Sequence, residues 1–477
     1  MKFPNFVGPA YTSQSPNVDC ERTVNWYPEI TEAPGAKANI VLYPCPGFES
    51  FADLSPGPVR ALYAINGRTF AVSGYVFYEI STTGVATTRG SVAIDANPAT
   101  ISSNGDGGDQ LFITSGDHGY CFDLTSNTLT TVLASGCTVG DFLDGFFLSL
   151  DTATATFRIS DLLDGTTWDA TQYAQRNTGA DTWQAMQVVH REIWLLGSQT
   201  SDVFYNSGAF PFPFAPIPGA FIQQGTQSTF SLASLNQSLI WLSHNAQGSG
   251  MVMRSNGYTA DRISTHAIEW AIQRYETIAD AQAFTYQEQG HNFYVLLFPS
   301  AKATWVWDMT TNLWHERGYW VSNDNQFDSI RVACHCHPHD NISLVGNRLT
   351  GEVYRMSVSI ATDVDGLGMR RQRRARGLSQ DETWILYGQM QLDMESGLGL
   401  ATGQGSDPQV MLRISRDGGH TWGNEYWASA GKIGQYSKRV IWNRLGRSRN
   451  AAFEVTVTDP IPWRITQAFL TVRKGLS

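Results

Sequence analysis

Ser415-Arg416-Asp417-Gly418-Gly419-His420-Thr421-Trp422 fits the pattern S-x-D-x-G-x-T-W of the Asp-box hairpin. The chemistry of these residue types is that of a turn. An aspartate accepts bonds from turn amides, glycine supplies positive φ, and the tryptophan packs beneath the hairpin. Ser415, Asp417, Gly419, Thr421 and Trp422 are therefore expected to stabilise a turn rather than to act on a substrate. The stretch from Ser160 to Trp168 is a looser relative. Cys334-His335-Cys336-His337-Pro338-His339 holds the densest set of metal-ligand types. On a strand the two cysteines face one way and the three histidines the other, whereas a tetrahedral zinc site needs converging ligands. The spacing predicts no metal site. Asn104 to Asp109 resembles part of a calcium loop but lacks the distal glutamate, so a hairpin tip is expected.

Arg370, Arg371, Arg373, Arg374 and Arg376 form the one concentrated positive feature. Guanidinium forks suit carboxylates and phosphates, so the functional reading is a clamp for an acidic partner surface or for DNA phosphates. The alternative is a solvated strand edge or an interdomain turn. Aromatic residues are not interleaved with the run, so stacking on single-stranded bases is not indicated. The sequence contains no P-loop, no G-x-G-x-x-G and no G-x-S-x-G, and its His, Asp and Ser residues are too scattered to suggest a triad. No catalytic residue and no cofactor are predicted, and the chain is read as a non-enzyme.

The elements that must carry these residues are short strands in a repeat. Seven segments share an apolar strand, a Gly/Asn/Asp turn and a second strand. They begin near 62, 111, 146, 193, 239, 293 and 342, in steps of 49, 35, 47, 46, 54 and 49 residues. A period of about 45 to 50 residues is that of four-stranded propeller blades. The short step leaves six or seven blades, with a pair of β-sandwiches as the alternative. One helix interrupts the pattern: Ser264 is placed to cap Thr265 to Tyr275, with Ile268, Ala271, Ile272 and Tyr275 on one face. Gly290-His291 with Trp307-Asp308 is similar to the G-H and W-D marks of WD40 blades, but it occurs once and supports only blade-like structure.

Residues 1–58 hold nine of the 19 prolines. Proline removes ladder donors, which predicts an extended arm. The repeat then fills 59–360, and alternating strands in 361–477 predict a C-terminal β-rich domain. The fold class is thus all-β: a β-propeller with an N-terminal arm and a C-terminal β-domain. The 477 residues carry 33 basic and 43 acidic side chains, a net charge of −10, which argues against a general nucleic-acid-binding face. Hydrophobic residues at 42% exclude disorder. No apolar run reaches the length that spans a bilayer, no signal sequence is evident, and six dispersed cysteines do not form a disulfide framework. A soluble protein from a reducing compartment is expected.

Several strings resemble the packaged-DNA-stabilisation proteins, the tail accessory or tail-hub factors, of short-tailed bacteriophages. They are Val24-Asn25-Trp26-Tyr27-Pro28 followed by Pro46-Gly47-Phe48, the segment Ile159 to Trp168, the stretch Ser264 to Tyr275, and Ser415 to Gly419. The most specific is Lys438-Arg439-Val440-Ile441-Trp442-Asn443-Arg444-Leu445-Gly446-Arg447. The resemblance implies a structural virion protein, located in the tail and assembled in the host cytoplasm. It implies a hexameric ring below the portal and its adaptor ring, closing the channel on packaged DNA. Docking of a plug or needle and of tailspikes or fibres is implied as well. DNA would pass the lumen without sequence-specific binding, and the Arg370 to Arg376 run would face an acidic neighbour. The competing class is a glycan-binding adhesin or glycoside hydrolase built on an Asp-box propeller. A sialidase would need an arginine triad and a Tyr/Glu nucleophile pair, which cannot be assigned in this sequence.

Overall fold

The computed structural model describes residues 1–177, 179–338, 342–378 and 383–475. Among the described residues, seven four-stranded antiparallel units follow one another along the chain, six as separate sheets and one as part of a larger sheet. Six are continuous and span 59–91, 100–133, 139–175, 183–222, 233–262 and 282–316. The seventh uses Val332–Cys336, Ser343–Asn347 and Glu352–Ser357, and takes its fourth strand, Gly47–Asp53, from the N-terminal region. The blade count is therefore seven, and the ring is closed by pairing the beginning of the chain to its far end. First strands begin 41, 39, 44, 50, 49 and 50 residues apart. The short step in the sequence marks the tight connection between the second and third blades.

Each blade is apolar on both faces because each faces two neighbours. Phe70, Val72 and Phe77 of the first blade pack on Leu111, Ile113 and Phe122 of the second. The same sharing recurs around the ring, with Phe157 against Trp183 and Phe204, Trp194 beside Trp241, and Leu344 and Val353 with Leu62 and Ala71. Each such side chain contributes about 1.5–3 kcal/mol on burial, so no blade is stable without its neighbours. The helix runs His266–Ile272 between the fifth and sixth blades. Its N-cap is Thr265, whose side chain accepts from the Ile268 amide, rather than Ser264. The Ser264 hydroxyl instead donates to Glu269 at 2.6 Å.

A β-sandwich follows the propeller. One sheet orders Cys20–Val24, Arg371–Arg376, Ala452–Val457, Gln409–Ser415 and Tyr426–Ser429; the other orders Trp26–Ile30, Ile40–Pro44, Ile465–Lys474, Ile385–Met394 and Val440–Ser448. Trp26, Trp442, Trp463, Met390 and Phe453 fill the space between them. The N-terminal region is not an extended arm. It supplies strands to both sandwich sheets and the closing strand of the seventh blade. Val24 also pairs with Glu316 of the sixth blade, so that blade and one sandwich sheet are a single ten-stranded sheet. Proline is tolerated there because Trp26–Ile30, with Pro28, is an edge strand whose free side needs no donor.

Candidate functional site

The arginine run forms the strand Arg371–Arg376, hydrogen-bonded on both sides, to Cys20–Val24 and to Ala452–Val457. A central strand alternates its side chains, and this one splits the run in two. Arg371 and Arg373 are only 1% and 0% exposed. Arg373 donates to the carbonyls of Asn5 and Pro9, to Thr23 Oγ1 at 2.8 Å and to Glu21 Oε2 at 2.6 Å. Arg371 donates to the Met369 carbonyl, and burial pulls its pKa down to about 10, which leaves it charged at neutral pH. These two arginines hold the fold together and offer no surface to a partner. The reading of all five arginines as one partner-facing clamp is corrected accordingly for Arg371 and Arg373.

Arg370 and Arg374 face the other way, into a cleft between the propeller and the sandwich. The cleft has a volume of about 410 Å³, with Trp320 and Phe327 on the propeller side and Arg413, Glu425 and Glu454 on the sandwich side. Glu454 is buried at 1% exposure and is shared by Arg374 at 2.7 Å and Arg413 at 2.6 Å. Burial alone would raise its pKa, but the two guanidiniums outweigh that and hold its carboxyl below the usual range. Arg22 is likewise matched, to Glu316 at 2.5 Å. Arg370 is different. Its guanidinium lies 3.9 Å from the centre of the Trp320 ring, and its Nε has no hydrogen-bond partner among the described residues. Among the described residues it makes no ion pair. Arg376 sits at the end of the strand and donates to the Val18 carbonyl at 2.9 Å.

The Asp box borders this cleft. Asp417 accepts from Ser415 Oγ at 2.7 Å, from the Thr421 amide at 2.9 Å and from Thr421 Oγ1 at 2.5 Å. Gly418 and Gly419 take φ of +74° and +101°, which an Asp-centred turn of this shape needs. Trp422 does not pack under its own hairpin alone, because Arg374 and Arg413 stack on it at 4.6 and 5.7 Å. The related stretch near Ser160 is an Asp-centred turn too, with Thr166 and Thr167 hydroxyls on Asp164. In the Cys/His stretch, Cys336 is buried between the seventh and first blades. His335 instead bonds Ser343 at 2.6 Å and stacks on Phe284. His339 lies outside the described residues.

Sequence reasoning missed Trp320, Arg413 and Glu454, which come from strands far apart in the chain. The signal that could have separated the arginines was present: Ala375 shares a face with Arg371 and Arg373, and a small apolar residue in that row marks the buried side.

Residues 1–361 match the family model described as bacteriophage P22 Gp10, beta-propeller, and residues 370–473 match the one described as bacteriophage P22 Gp10, beta-sandwich. No curated protein matches the sequence. Among solved structures, the chain is similar to the extracellular domain of the putative one-component system BT4673 of B. thetaiotaomicron. That likeness has 11% identity and a TM-score of 0.44, over 87% of this chain and 58% of the other. The N-terminal domain of Nup159 is similar at 11% identity and a TM-score of 0.40, over 66% of this chain and 95% of that one. The computationally designed Ika8 protein gives 11% and 0.40, over 65% and 99%.

Proposed function

The chain belongs to the bacteriophage P22 Gp10 family, and from that membership we propose that it is a non-enzymatic hub of a short-tailed phage tail. In this reading it binds below the portal and adaptor ring as a hexamer, closes the channel on packaged DNA, and carries docking surfaces for a needle or plug and for tailspikes. The observation that carries the reading is that the two family models together span almost the whole chain. The architecture supports it physically. The propeller is closed by its own N-terminal region and fused to the sandwich through one continuous sheet, so a subunit transmits load without a flexible linker. Its first strands converge on a cavity of about 230 Å³ lined by Leu62, Ile101, Val139 and Phe284. In this reading the DNA channel runs between subunits, because a duplex whose major groove alone is about 12 Å wide would not fit so small a cavity. The net charge of −10 per chain disfavours adhesion of DNA phosphates to such a channel. Arg370, which makes no ion pair among the described residues, is the member of the arginine run offered to an acidic neighbour in the cleft.

The test is to add the purified protein to tail-less, DNA-filled heads of its own phage and to measure bound copies and retained DNA. Binding in multiples of six with reduced leakage is the expected result. Absence of both binding and protection overturns the hub reading.

A further inference from the structure

The acidic chain ends in a basic face. Between Lys432 and Lys474 there are nine Lys and Arg residues and two acidic ones. Arg444, Arg447, Arg449 and Arg473 make no ion pair with any described carboxylate, unlike Arg373, Arg374, Arg413 and Arg464. They project from the outer side of the sandwich sheet that contains Ile385–Met394, Val440–Ser448 and Ile465–Lys474.

The face is not flat. Both ladders of the central strand slip at one residue: Tyr387 pairs with Gly446 and Val472, but Gln389 pairs with Asn443 and Thr471. Gly388 is left without a partner on either side. Arg444, opposite the slip, takes φ of +59°, a conformation that costs a non-glycine residue of order 1 kcal/mol. The result is a hollow of about 540 Å³ between Leu386, Gly388, Arg444, Arg447 and Arg473. Leu386 is 44% exposed at its rim. A Cβ on Gly388 would meet nothing closer than the Thr471 carbonyl at 3.4 Å, so packing does not demand glycine and the hollow is open space.

We propose that this hollow docks an acidic segment of a partner protein, with carboxylates on Arg444, Arg447 and Arg473 and an apolar side chain against Leu386 and the Gly388 floor. Charge complementarity selects the occupant, because bidentate guanidinium forks match carboxylates. The apolar floor argues for a peptide over a nucleic acid, since phosphates gain nothing from it. Trp384 cannot stack a base either: Arg447 and Arg449 both lie 4.8 Å from its ring. Charged protection of the Val440–Ser448 edge would explain arginines on that strand, but it explains neither the hollow nor Arg473 on another strand. The inference stands whether or not the protein is a tail hub.

The test uses the full-length protein and three fluorescent probes: a short peptide alternating glutamate and leucine, oligoglutamate of equal charge, and a short DNA duplex. The alternating peptide is expected to bind best and to weaken roughly tenfold or more in R447Q/R473Q at unchanged Tm. Gly388→Val, which fills the floor, is expected to reduce it to the level of oligoglutamate. Equal affinity for wild type and R447Q/R473Q overturns the proposal. So does tighter duplex binding lost in the same variant, which would make the face a nucleic-acid site. Should R447Q/R473Q not fold, hydrogen exchange on the wild type decides. Peptide-induced protection at 385–390, 444–449 and 471–474 supports docking; protection elsewhere, or none, overturns it.

Discussion

Arg373 and Glu21 lie 352 residues apart in the chain and 2.6 Å apart in the fold. The arginine also satisfies four carbonyls, those of Asn5, Phe6, Pro9 and Arg22, and the Thr23 hydroxyl, so one guanidinium fastens the beginning of the chain to the sandwich. Removing one member of a buried pair strands the other, at a cost of about 3–5 kcal/mol. Arg373→Met is expected to lower the urea midpoint accordingly, and a loss under 1 kcal/mol would show that the network is dispensable.

Gly47 begins the strand that closes the seventh blade, pairing with Ser357. A Cβ there would run into the carbonyl oxygens of Ile360 and Thr362. Backbone cannot give as a side chain can, so Gly47→Ala is expected to cost about 1–3 kcal/mol, the range for overpacking. Deleting residues 1–53 removes the closing strand altogether and leaves Glu352–Ser357 as a bare edge. Loss of cooperative unfolding and aggregation on size exclusion are the expected signs.

The propeller was legible in the sequence because its physics is local. Each blade needs alternating apolar strands and tight turns, and those recur at a readable interval. The N-terminal contribution was not legible, because Pro28 breaks a strand only if both sides need donors, and the sequence does not show that Trp26–Ile30 is an edge. The arginine run misled for a related reason. Charge suggests solvent, yet Arg373 is buried by partners near residues 5–23 that only the tertiary fold brings to it. The Asp box was legible as a turn since its bonds span four residues, whereas the arginines stacked on Trp422 arrive from residues 374 and 413.

His315 is fully buried and, among the described residues, neither ring nitrogen has a hydrogen-bond partner. Burial drives its pKa down to about 3, while the unfolded chain titrates near 6.5. A folded pKa lowered in this way means that the unfolded state binds the extra proton, so stability falls as pH drops from about 6.5 toward 3. His291 acts in the opposite sense: its bond to Asp308 at 2.8 Å raises its pKa, and its stabilisation is present below about 6.5 and fades as pH rises through the folded value. His315→Leu is therefore expected to flatten the acid side of a Tm–pH profile, and His291→Gln to reduce stability more at pH 6 than at pH 9. An unchanged acid limb in His315→Leu would refute the first assignment.

Asp417 is held far below the usual carboxylate range, chiefly by the Ser415 and Thr421 side-chain bonds. A depressed carboxyl stabilises above its unfolded value, about 3.9, and loses that contribution as pH falls through the folded one. The turn is exposed, so each bond is worth little. Asp417→Ala is expected to cost about 1 kcal/mol at pH 7, with the gap to wild type closing in strong acid.

Arg370 and Glu454 line the same cleft but should fail differently when altered. Glu454 neutralises Arg374 and Arg413, so Glu454→Gln leaves two cations facing one another and is expected to destabilise by about 3 kcal/mol or more. Arg370 neutralises nothing among the described residues and rests on Trp320. Arg370→Gln forfeits a cation–π contact worth about 1 kcal/mol at most sites, so its Tm should barely move. If the cleft receives an acidic neighbour, Arg370→Gln heads should bind fewer copies and leak DNA at a folded fraction equal to wild type. Normal attachment of that variant would confine the cleft to holding propeller and sandwich together, with its unpaired guanidinium serving only Trp320.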